Sequence, residues 1–300
     1  MADLDSSKFD ESRSYKPFDG PGRHFNDGRE IELLRFIFSH PDLAKMRGDP
    51  GAILGAIDEF GRTCKYLMNV GEYKGKIVCG LIKDVKPQVM VELGSYVGYS
   101  CLLFGATLRR FGGAKYLSLE MDPLFAAIST SLVNLAGLQD LVQVVVGPSH
   151  ESLRRLCVEG SLTRIDLLFI DHHKPSYVPD LKLCEELRLV VPGSVIAADN
   201  VIWPGNKPYL DYVRSTVSQK VAKAEKPQAL DNSEHYWKET IDRNEGQPKE
   251  DELLGNPHLI YNGDNVMSFE PSGEQDGLEI SRCIGVEALK QYSGFVHVGQ

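Results

Sequence analysis

Residues 165–174 read IDLLFIDHHK, and residues 194–200 read SVIAADN. Apolar runs of this length are typical of strands that are buried on both faces of a parallel sheet. Each run ends in oxygen-bearing side chains, Asp171 in the first and Asp199 with Asn200 in the second. Ligands of open α/β sheets bind at the carboxyl ends of the strands, and Mg²⁺ prefers oxygen donors. The pattern therefore predicts a magnesium site, with ordinary polar residues at the starts of loops as the alternative.

Alternating strands and helices surround these two runs. Strands are predicted at residues 88–93, 116–120, 142–146, 165–170 and 194–198. Helices are predicted between them at residues 99–111, 123–136, 150–158 and 177–188, and before them at 30–40, from 50 toward 66, and at 74–83. This alternation is typical of an α/β fold with a mostly parallel sheet and helices on both faces.

The composition is that of a globular protein, with 42% hydrophobic and 25% charged residues among 300. A net charge of −9 disfavours a partner such as nucleic acid or an anionic membrane. The cysteines form no C-x-x-C pair, which favours reduced thiols over a zinc or disulfide framework. The sequence contains no signal-peptide pattern and no apolar run long enough to span a membrane. We therefore expect a cytoplasmic protein.

Two polar segments, one at the N-terminus and one inside the chain, determine the expected domain organisation. Residues 1–26 are predicted to form a flexible tail, and residues 27–300 a single domain. A charged insertion occupies about 217–257 and precedes a predicted strand at 259–262. This insertion is either a solvated, partly helical excursion or a lid over a cleft; the lid would use Tyr236 and Trp237 as apolar contacts.

A glycine-rich turn follows the first predicted strand, where residues 91–100 read VELGSYVGYS. Glycine lets the backbone approach a ligand closely, but the turn lacks the G-x-G-x-x-G spacing that cradles a pyrophosphate. This disfavours an NAD-linked oxidoreductase. Glu120 ends the second predicted strand, where a carboxylate can accept hydrogen bonds from both hydroxyls of a ribose. The glycine-rich turn and Glu120 together favour a binding site for S-adenosylmethionine. The alternative is a generic turn without a ligand, with Glu120 exposed to solvent.

Four ordered blocks give the chain a family resemblance: MNVG at 68–71, ELGSY at 92–96 with GYS at 98–100, DHHK at 171–174, and DNVI at 199–202 with PG at 204–205. The chain resembles the catechol O-methyltransferases, which use S-adenosylmethionine and Mg²⁺. The resemblance implies a Rossmann-like methyltransferase fold. It also implies methyl transfer to one hydroxyl of a Mg²⁺-chelated catechol, a small-molecule substrate. We expect a monomer.

The resemblance also implies roles for individual residues. Asp171, Asp199 and Asn200 match the metal ligands, Lys174 matches the general base, and Glu270 matches a glutamate that binds the second catechol hydroxyl. The positions that match methyl-donor contacts are Met68, Val70, Glu92, Gly94, Tyr96, Ser100, Glu120, Met121, Ser149, His150, Asp171, His172 and His173. The substrate positions are Tyr66, Lys174, Asn200, Pro204 and Glu270.

Several positions depart from the pattern of that family. His173 and Tyr66 stand where the family has tryptophan, and Trp203 stands where it has cysteine. His150 replaces a glutamine, and both side chains can hydrogen-bond an adenine edge. Two alternatives follow: an O-methyltransferase for another vicinal-diol phenol such as a flavonoid, or an inactive S-adenosylmethionine-binding scaffold.

Overall fold

A seven-stranded sheet forms the centre of the computed structural model, which describes residues 8–17, 25–225 and 253–287. The strands are β1 Val89–Leu93, β2 Lys115–Glu120, β3 Val142–Val146, β4 Leu167–Ile170, β5 Val195–Ala198, β6 Leu259–Phe269 and β7 Gln275–Val286. Their order across the sheet is β3-β2-β1-β4-β5-β7-β6. Strands β1 to β5 are parallel, whereas β7 pairs antiparallel with both β5 and β6.

Ten α-helices cover this sheet within the described residues. They are α1 Arg29–Phe38, α2 Leu43–Met46, α3 Pro50–Thr63, α4 Gly71–Val85, α5 Tyr99–Arg110, α6 Pro123–Leu135, α7 Ser149–Val158, α8 Tyr177–Glu186, α9 Lys207–Val213 and α10 Val217–Glu225. Short 3₁₀ turns lie at Glu11–Arg13 and Lys174–Ser176, and an irregular helical turn spans Val201–Gly205.

Alternate residues of the central strands pack into two hydrophobic cores, one on each face of the sheet. Phe169 of β4 and Ala197 of β5 belong to the core that α3 and α5 share. Leu168 and Ile196 belong to the opposite core, which α7 and α8 share. Burial on both faces explains why these strands read as continuous apolar runs.

The predicted α/β class and the mostly parallel sheet are confirmed. The five parallel strands and the helices between them lie within about two residues of their predicted bounds. The first helices also form, although α4 begins at Gly71, three residues earlier than predicted. The strand predicted at 259–262 is longer and continues to Phe269, and β7 was not predicted. These two strands bring Glu270 and Asp276 to the edge of the sheet that carries Asp199.

The prediction of a flexible tail over residues 1–26 is wrong for residues 8–17. Tyr15 is buried, and its hydroxyl donates to Oδ1 of Asp58 at 2.6 Å. The amide of Tyr15 donates to the carbonyl oxygen of Pro271 at 2.8 Å. Phe9 packs against Tyr73 of α4, with 5.2 Å between the ring centroids. Two aromatic side chains thus anchor a segment whose average composition is polar.

The insertion predicted at 217–257 begins with α10 and ends in residues 253–257. Lys220 of α10 is buried, and its ammonium donates to the carbonyl oxygen of Leu259. The same ammonium lies over the rings of Tyr212 and Tyr261, 5.5 and 4.8 Å from their centroids. Residues 226–252, and with them the lid contacts expected from Tyr236 and Trp237, lie outside the described residues.

Candidate active site

Lys174 lies among the side chains that follow β4 and β5. Its Nζ donates to Oδ1 of Asn200 at 2.6 Å and to Oδ1 of Asp171 at 3.3 Å. It also donates to the hydroxyl of Tyr177 at 2.6 Å, which in turn donates to the carbonyl oxygen of Asp199. Asn200 has a left-handed backbone conformation, φ 55°, which turns the chain sharply at the end of β5. The polar residues that follow the two apolar runs, Asp171 after β4 and Asp199 with Asn200 after β5, therefore lie close together.

A second lysine, Lys74 of α4, lies beneath this group. Its ammonium is 2.6 Å from each of three carboxylate oxygens, on Asp199, Glu270 and Asp276. Burial of Lys74 opposes its charged form, but the three carboxylates outweigh that cost and hold the pKa of Lys74 well above its usual value. Lys74 is fully buried, so this ion cluster is shielded from solvent.

Two carboxyl groups of the site resist ionisation. Burial raises the pKa of Asp171 to about 7, with the charge of Asp199 adding to the effect and Lys174 opposing it. Burial raises the pKa of Glu270 to about 8, where Lys74 opposes and Asp199 adds to the shift. Both carboxyl groups lie near the carboxylate of Asp199, so an additional cation there would favour their ionised forms.

The donor chemistry at the ends of β4 and β5 fits a hard divalent cation. Asp171, Asp199 and Asn200 offer oxygen atoms only, as Mg²⁺ prefers. Within residues 8–17, 25–225 and 253–287, no group of three or more His, Cys, Asp or Glu side chains is arranged as a metal site. The candidate ligands Asp171, Asp199 and Asn200 are two carboxylates and one amide, so they do not form a group of three such side chains. These three residues could hold Mg²⁺, with open positions for a ligand.

The glycine turn between β1 and α5 lies directly against the end of β4. Gly94 has a φ of +89°, and a Cβ at this position would lie 2.6 Å from the carbonyl oxygen of Asp171. Oε2 of Glu120 accepts the amides of Ser95 and Tyr96 at 3.0 and 2.9 Å. Glu120 thus fixes the turn, a function that the sequence analysis did not assign to it.

Glu92 lies in β1 just before this turn and is fully buried. Burial raises the pKa of Glu92 to about 7. Its Oε2 accepts the hydroxyl of Ser118 at 2.6 Å, while Oε1 has no hydrogen-bond partner among the described residues. A buried acceptor without a partner is costly, so Oε1 is a candidate for a ligand's donor group such as an ammonium.

Asp180 of α8 joins two of the predicted donor contacts. Its Oδ2 accepts the hydroxyl of Ser149 and lies 2.8 Å from Nε2 of His172. The ring of His172 stacks on Tyr177, with centroids 5.2 Å apart and planes 5° from parallel. Nδ1 of His172 and of His150 is buried without a hydrogen-bond partner among the described residues. Both nitrogens are therefore candidates for hydrogen bonds with a bound heterocycle.

The remaining predicted residues differ in exposure. Met68 and Met121 are exposed apolar side chains, whereas Tyr66, Val70 and Ser100 are buried. The hydroxyl of Tyr96 donates to Oε1 of Glu30 at 2.9 Å. Pro204 is exposed after Trp203, and Nδ1 of His173 lies 3.3 Å from the hydroxyl of Ser176.

Three buried charged residues of the site were missed by the sequence analysis: Lys74, Asp180 and Asp276. Lys74 lies at helical spacing with Val78 and Ile82 on the buried face of α4. Asp180 likewise shares the buried face of α8 with apolar residues. A charged side chain placed among the apolar residues of a buried helix face is the signal that could have identified both. Asp276 lies in β7, which was not predicted.

Residues 58–233, more than half of the chain, match a family model described as O-methyltransferase. The catechol O-methyltransferase of Bos taurus is 39% identical over 186 residues, which are 62% of this chain and 66% of the bovine protein. Catechol O-methyltransferase B of Danio rerio is 40% identical over 192 residues, 64% of this chain and 70% of that protein. The chain belongs to the catechol O-methyltransferase family. It is an S-adenosylmethionine-dependent O-methyltransferase of this type.

The family also includes relatives with a different name. The transmembrane O-methyltransferase of Homo sapiens is 36% identical over 187 residues, 62% of this chain and 62% of that protein. Among the residues described here, the helices are all too short or too polar to cross a membrane.

Solved structures support the fold assignment. An O-methyltransferase from Bacillus cereus, in complex with SAH, superimposes with a TM-score of 0.50 at 19% identity, covering 86% of this chain and 92% of that one. TomG from Streptomyces achromogenes, in complex with SAM, gives 0.50 at 18% identity, covering 85% and 96%. At these identities the likeness shows the fold alone, which is the Rossmann-like fold of S-adenosylmethionine-dependent methyltransferases.

Proposed function

We propose that this family member transfers the methyl group of S-adenosylmethionine to one hydroxyl of a Mg²⁺-bound catechol. One observation supports this most: Lys174 contacts both Asp171 and Asn200 at the carboxyl edge of the sheet, beside the glycine turn. A proton acceptor, two candidate metal ligands and a close-approach turn are the parts that this reaction needs together. The names of the catechol O-methyltransferase relatives support the same substrate class.

The methyl donor would lie across the glycine turn. Gly94 lets this turn pack against the main chain of Asp171 and His172, and Glu120 would add a ribose hydroxyl to the backbone amides that it already accepts. Glu92 would accept the donor's ammonium with Oε1. His150 and His172 would present their unpaired nitrogens to the adenine. Met68, Val70, Tyr96, Ser100, Met121, Ser149, Asp171 and His173 complete the proposed donor site.

The acceptor would lie over Asp171, Asp199 and Asn200. A bound Mg²⁺ supplies orientation of both hydroxyls and lowers a phenol pKa that is about 10 in water. Lys174 would take the proton of the attacking hydroxyl, because its Nζ is already among the oxygens that surround that position. Glu270 would accept the second hydroxyl. Holding the two reactants side by side makes the transfer effectively unimolecular.

The walls around this position set the acceptor size. Tyr66 and Pro204 are the proposed wall residues, with the exposed ring of Trp203 beside them. Two of the side chains that depart from the family pattern, Tyr66 and Trp203, belong to these proposed walls. Asp171, Asp199, Asn200 and Lys174 keep the family pattern. A bulkier vicinal-diol phenol, such as a flavonoid, is therefore the second candidate acceptor.

The test is incubation of the protein with labelled S-adenosylmethionine, Mg²⁺ and a panel of phenols, followed by identification of the products. The panel contains simple catechols, flavonoid-like catechols and monohydroxy phenols. We expect label only in compounds with two adjacent hydroxyls. Label in the flavonoid-like members alone would favour the second acceptor, and no label in any member would contradict the proposal and favour a scaffold. The proposal includes a cytoplasmic monomer, which fractionation and sedimentation would test.

A further inference from the structure

Asp276 is a fully buried carboxylate of β7 that none of the roles above includes. Its Oδ2 accepts the ammonium of Lys74 at 2.6 Å and Nδ2 of Asn200 at 3.0 Å. Its Oδ1 accepts the backbone amides of Ile202 and Trp203 at 3.1 and 2.7 Å. Four donors thus converge on one side chain, and three of them belong to Asn200 and the turn that follows it.

The contact with Asn200 determines which end of its amide faces the candidate metal position. Nδ2 donates to Oε1 of Glu270 at 2.6 Å as well as to Asp276. A carboxamide has donors on nitrogen and acceptors on oxygen, so the reversed orientation would place Oδ1 against two carboxylate oxygens. The network therefore keeps the nitrogen inward and turns Oδ1 toward Lys174.

The contacts with the backbone amides fix the turn itself. Asn200 has a positive φ, a conformation that costs energy for residues other than glycine and persists only where the surroundings hold it. The amides of Ile202 and Trp203 have their acceptor in Asp276 rather than in a regular helix. The same carboxylate thus holds both the main chain and the side chain of Asn200.

Lys74 makes this arrangement compatible with burial. A carboxylate without a counter-charge would be strongly disfavoured at a fully buried position. The ammonium of Lys74 balances Asp276 and at the same time contacts Asp199, the other candidate ligand at the end of β5. The buried pair connects α4 and β7 to Asp199 and Asn200, the two candidate metal ligands that follow β5.

We propose that Asp276 is a positioning residue that presents Oδ1 of Asn200 to a divalent cation, an inference that rests on the proposed function. It acts through Asn200 and does not itself touch the cation or the catechol. Partners that orient metal ligands typically contribute about 10–100-fold to metal affinity. Loss of this carboxylate should therefore weaken cation binding while the methyl-donor site stays intact.

The first test uses Asp276→Asn and Mn²⁺, which accepts the same oxygen ligands and whose free ion is measured by electron paramagnetic resonance. We expect the Kd for Mn²⁺ to rise about 10–100-fold. Calorimetry should show the wild-type affinity for S-adenosylmethionine, because the glycine turn and Glu120 are unchanged. An unchanged Kd for Mn²⁺ in the folded variant would overturn the inference.

Glu279→Gln is the matched control. Glu279 is also a fully buried carboxylate of β7 in an ion pair, with Nε and Nη2 of Arg214 at 2.9 and 2.6 Å. Among the described residues, its hydrogen bonds go to Arg214 and not to Asn200. We expect a lower Tm in both variants but a changed Kd for Mn²⁺ only in Asp276→Asn. Equal weakening of Mn²⁺ binding in both variants would show a general effect of removing a buried charge and would overturn the inference.

A second measurement needs no variant of Asp276 to fold. The side-chain amide protons of Asn200, assigned in selectively labelled wild-type protein by their loss in Asn200→Asp, should exchange far more slowly than those of a free amide. Exchange at the rate of a free amide would overturn the inference. Wild-type protein that binds no Mn²⁺ would instead contradict the metal site of the proposed function, which separates the two failures.

Discussion

Nζ of Lys174 lies 2.6 Å from Oδ1 of Asn200, so the candidate base and a candidate metal ligand are in direct contact. Neither residue is close to the other in sequence, and the contact exists because β4 and β5 are parallel neighbours. The distance is that of a hydrogen bond to the oxygen that a cation would use. A substrate hydroxyl bound at that cation would therefore be within reach of the Lys174 nitrogen.

Replacement of this lysine tests its role as a base. Lys174→Met keeps the length of the side chain but removes the proton acceptor and the charge. Turnover should fall by roughly 10²–10⁴, the usual contribution of a positioned base, with little change in donor affinity. Single-turnover transfer measures this, and Lys83→Met, an exposed lysine of α4, is the control.

The acidity of the catechol provides a second measure of that role. Catechols already acidified by electron-withdrawing groups need less help from a base, so Lys174→Met should cost them less. The loss of rate in Lys174→Met is measured for a series of catechols that spans a range of phenol pKa, at saturating donor and Mg²⁺. The slope of that loss against the phenol pKa is the result of interest. An equal loss across the series would mean that Lys174 orients the substrate, and no loss would remove it from the mechanism.

Glu120 should affect both donor binding and the stability of the glycine turn. Glu120→Ala removes acceptors for a ribose hydroxyl and for the amides of Ser95 and Tyr96. Hydrogen bonds to a charged group are worth about 1.5–3 kcal/mol, so affinity for S-adenosylmethionine should fall about tenfold or more. Calorimetry measures the affinity and thermal unfolding the Tm. Glu159→Ala, at an exposed position, should change neither, and an unaltered affinity in Glu120→Ala would mean that the ribose lies elsewhere.

The candidate metal ligands should act as a set. Asp171→Ala and Asp199→Ala each remove one of the two carboxylates, and either change should reduce methyl transfer as much as a chelator does. Calorimetric titration with Mg²⁺ should show the matching loss of binding. The exposed carboxylate of Asp211 on α9, replaced in Asp211→Ala, is the control. Wild-type Mg²⁺ affinity in both site variants would exclude these residues as ligands.

Asp58 should make stability depend on pH. Burial raises its pKa to about 6, whereas the usual value is 3.8. Between these values the native state binds the proton more tightly than the unfolded state, so the free energy of unfolding falls as pH rises from about 4 to 6. The shift corresponds to about 3 kcal/mol at most. Asp58→Asn should remove this part of the slope in denaturant titrations; parallel profiles for the two proteins would contradict the assigned pKa.

The sequence predicted the parallel part of the sheet because buried strands leave a strong pattern. The run from Leu167 to Ile170 is apolar without interruption since both of its faces are covered. The same logic brought Asp171 and Asn200 together, because parallel strands end at one edge. Glu120 was assigned to this edge for the same reason, although its contacts with the turn amides could not be read from spacing.

The sequence did not reveal the contacts that depend on distant elements. Lys74 and Asp276 are separated by most of the chain, and their ion pair exists only because β7 inserts beside β5. Tyr15 was assigned to a flexible tail because the local composition is polar. Its burial depends on a gap between α3 and Pro271, and no local pattern encodes that gap.

Methyl transfer to catechol and to phenol, each with Mg²⁺ and with excess chelator, tests whether Asp171, Asp199 and Asn200 hold a cation that orients two adjacent hydroxyls. We expect a methylated product from catechol with Mg²⁺, none with chelator, recovery when Mg²⁺ is restored, and none from phenol. Equal transfer to phenol, or full transfer to catechol in excess chelator, would contradict this role of the three residues.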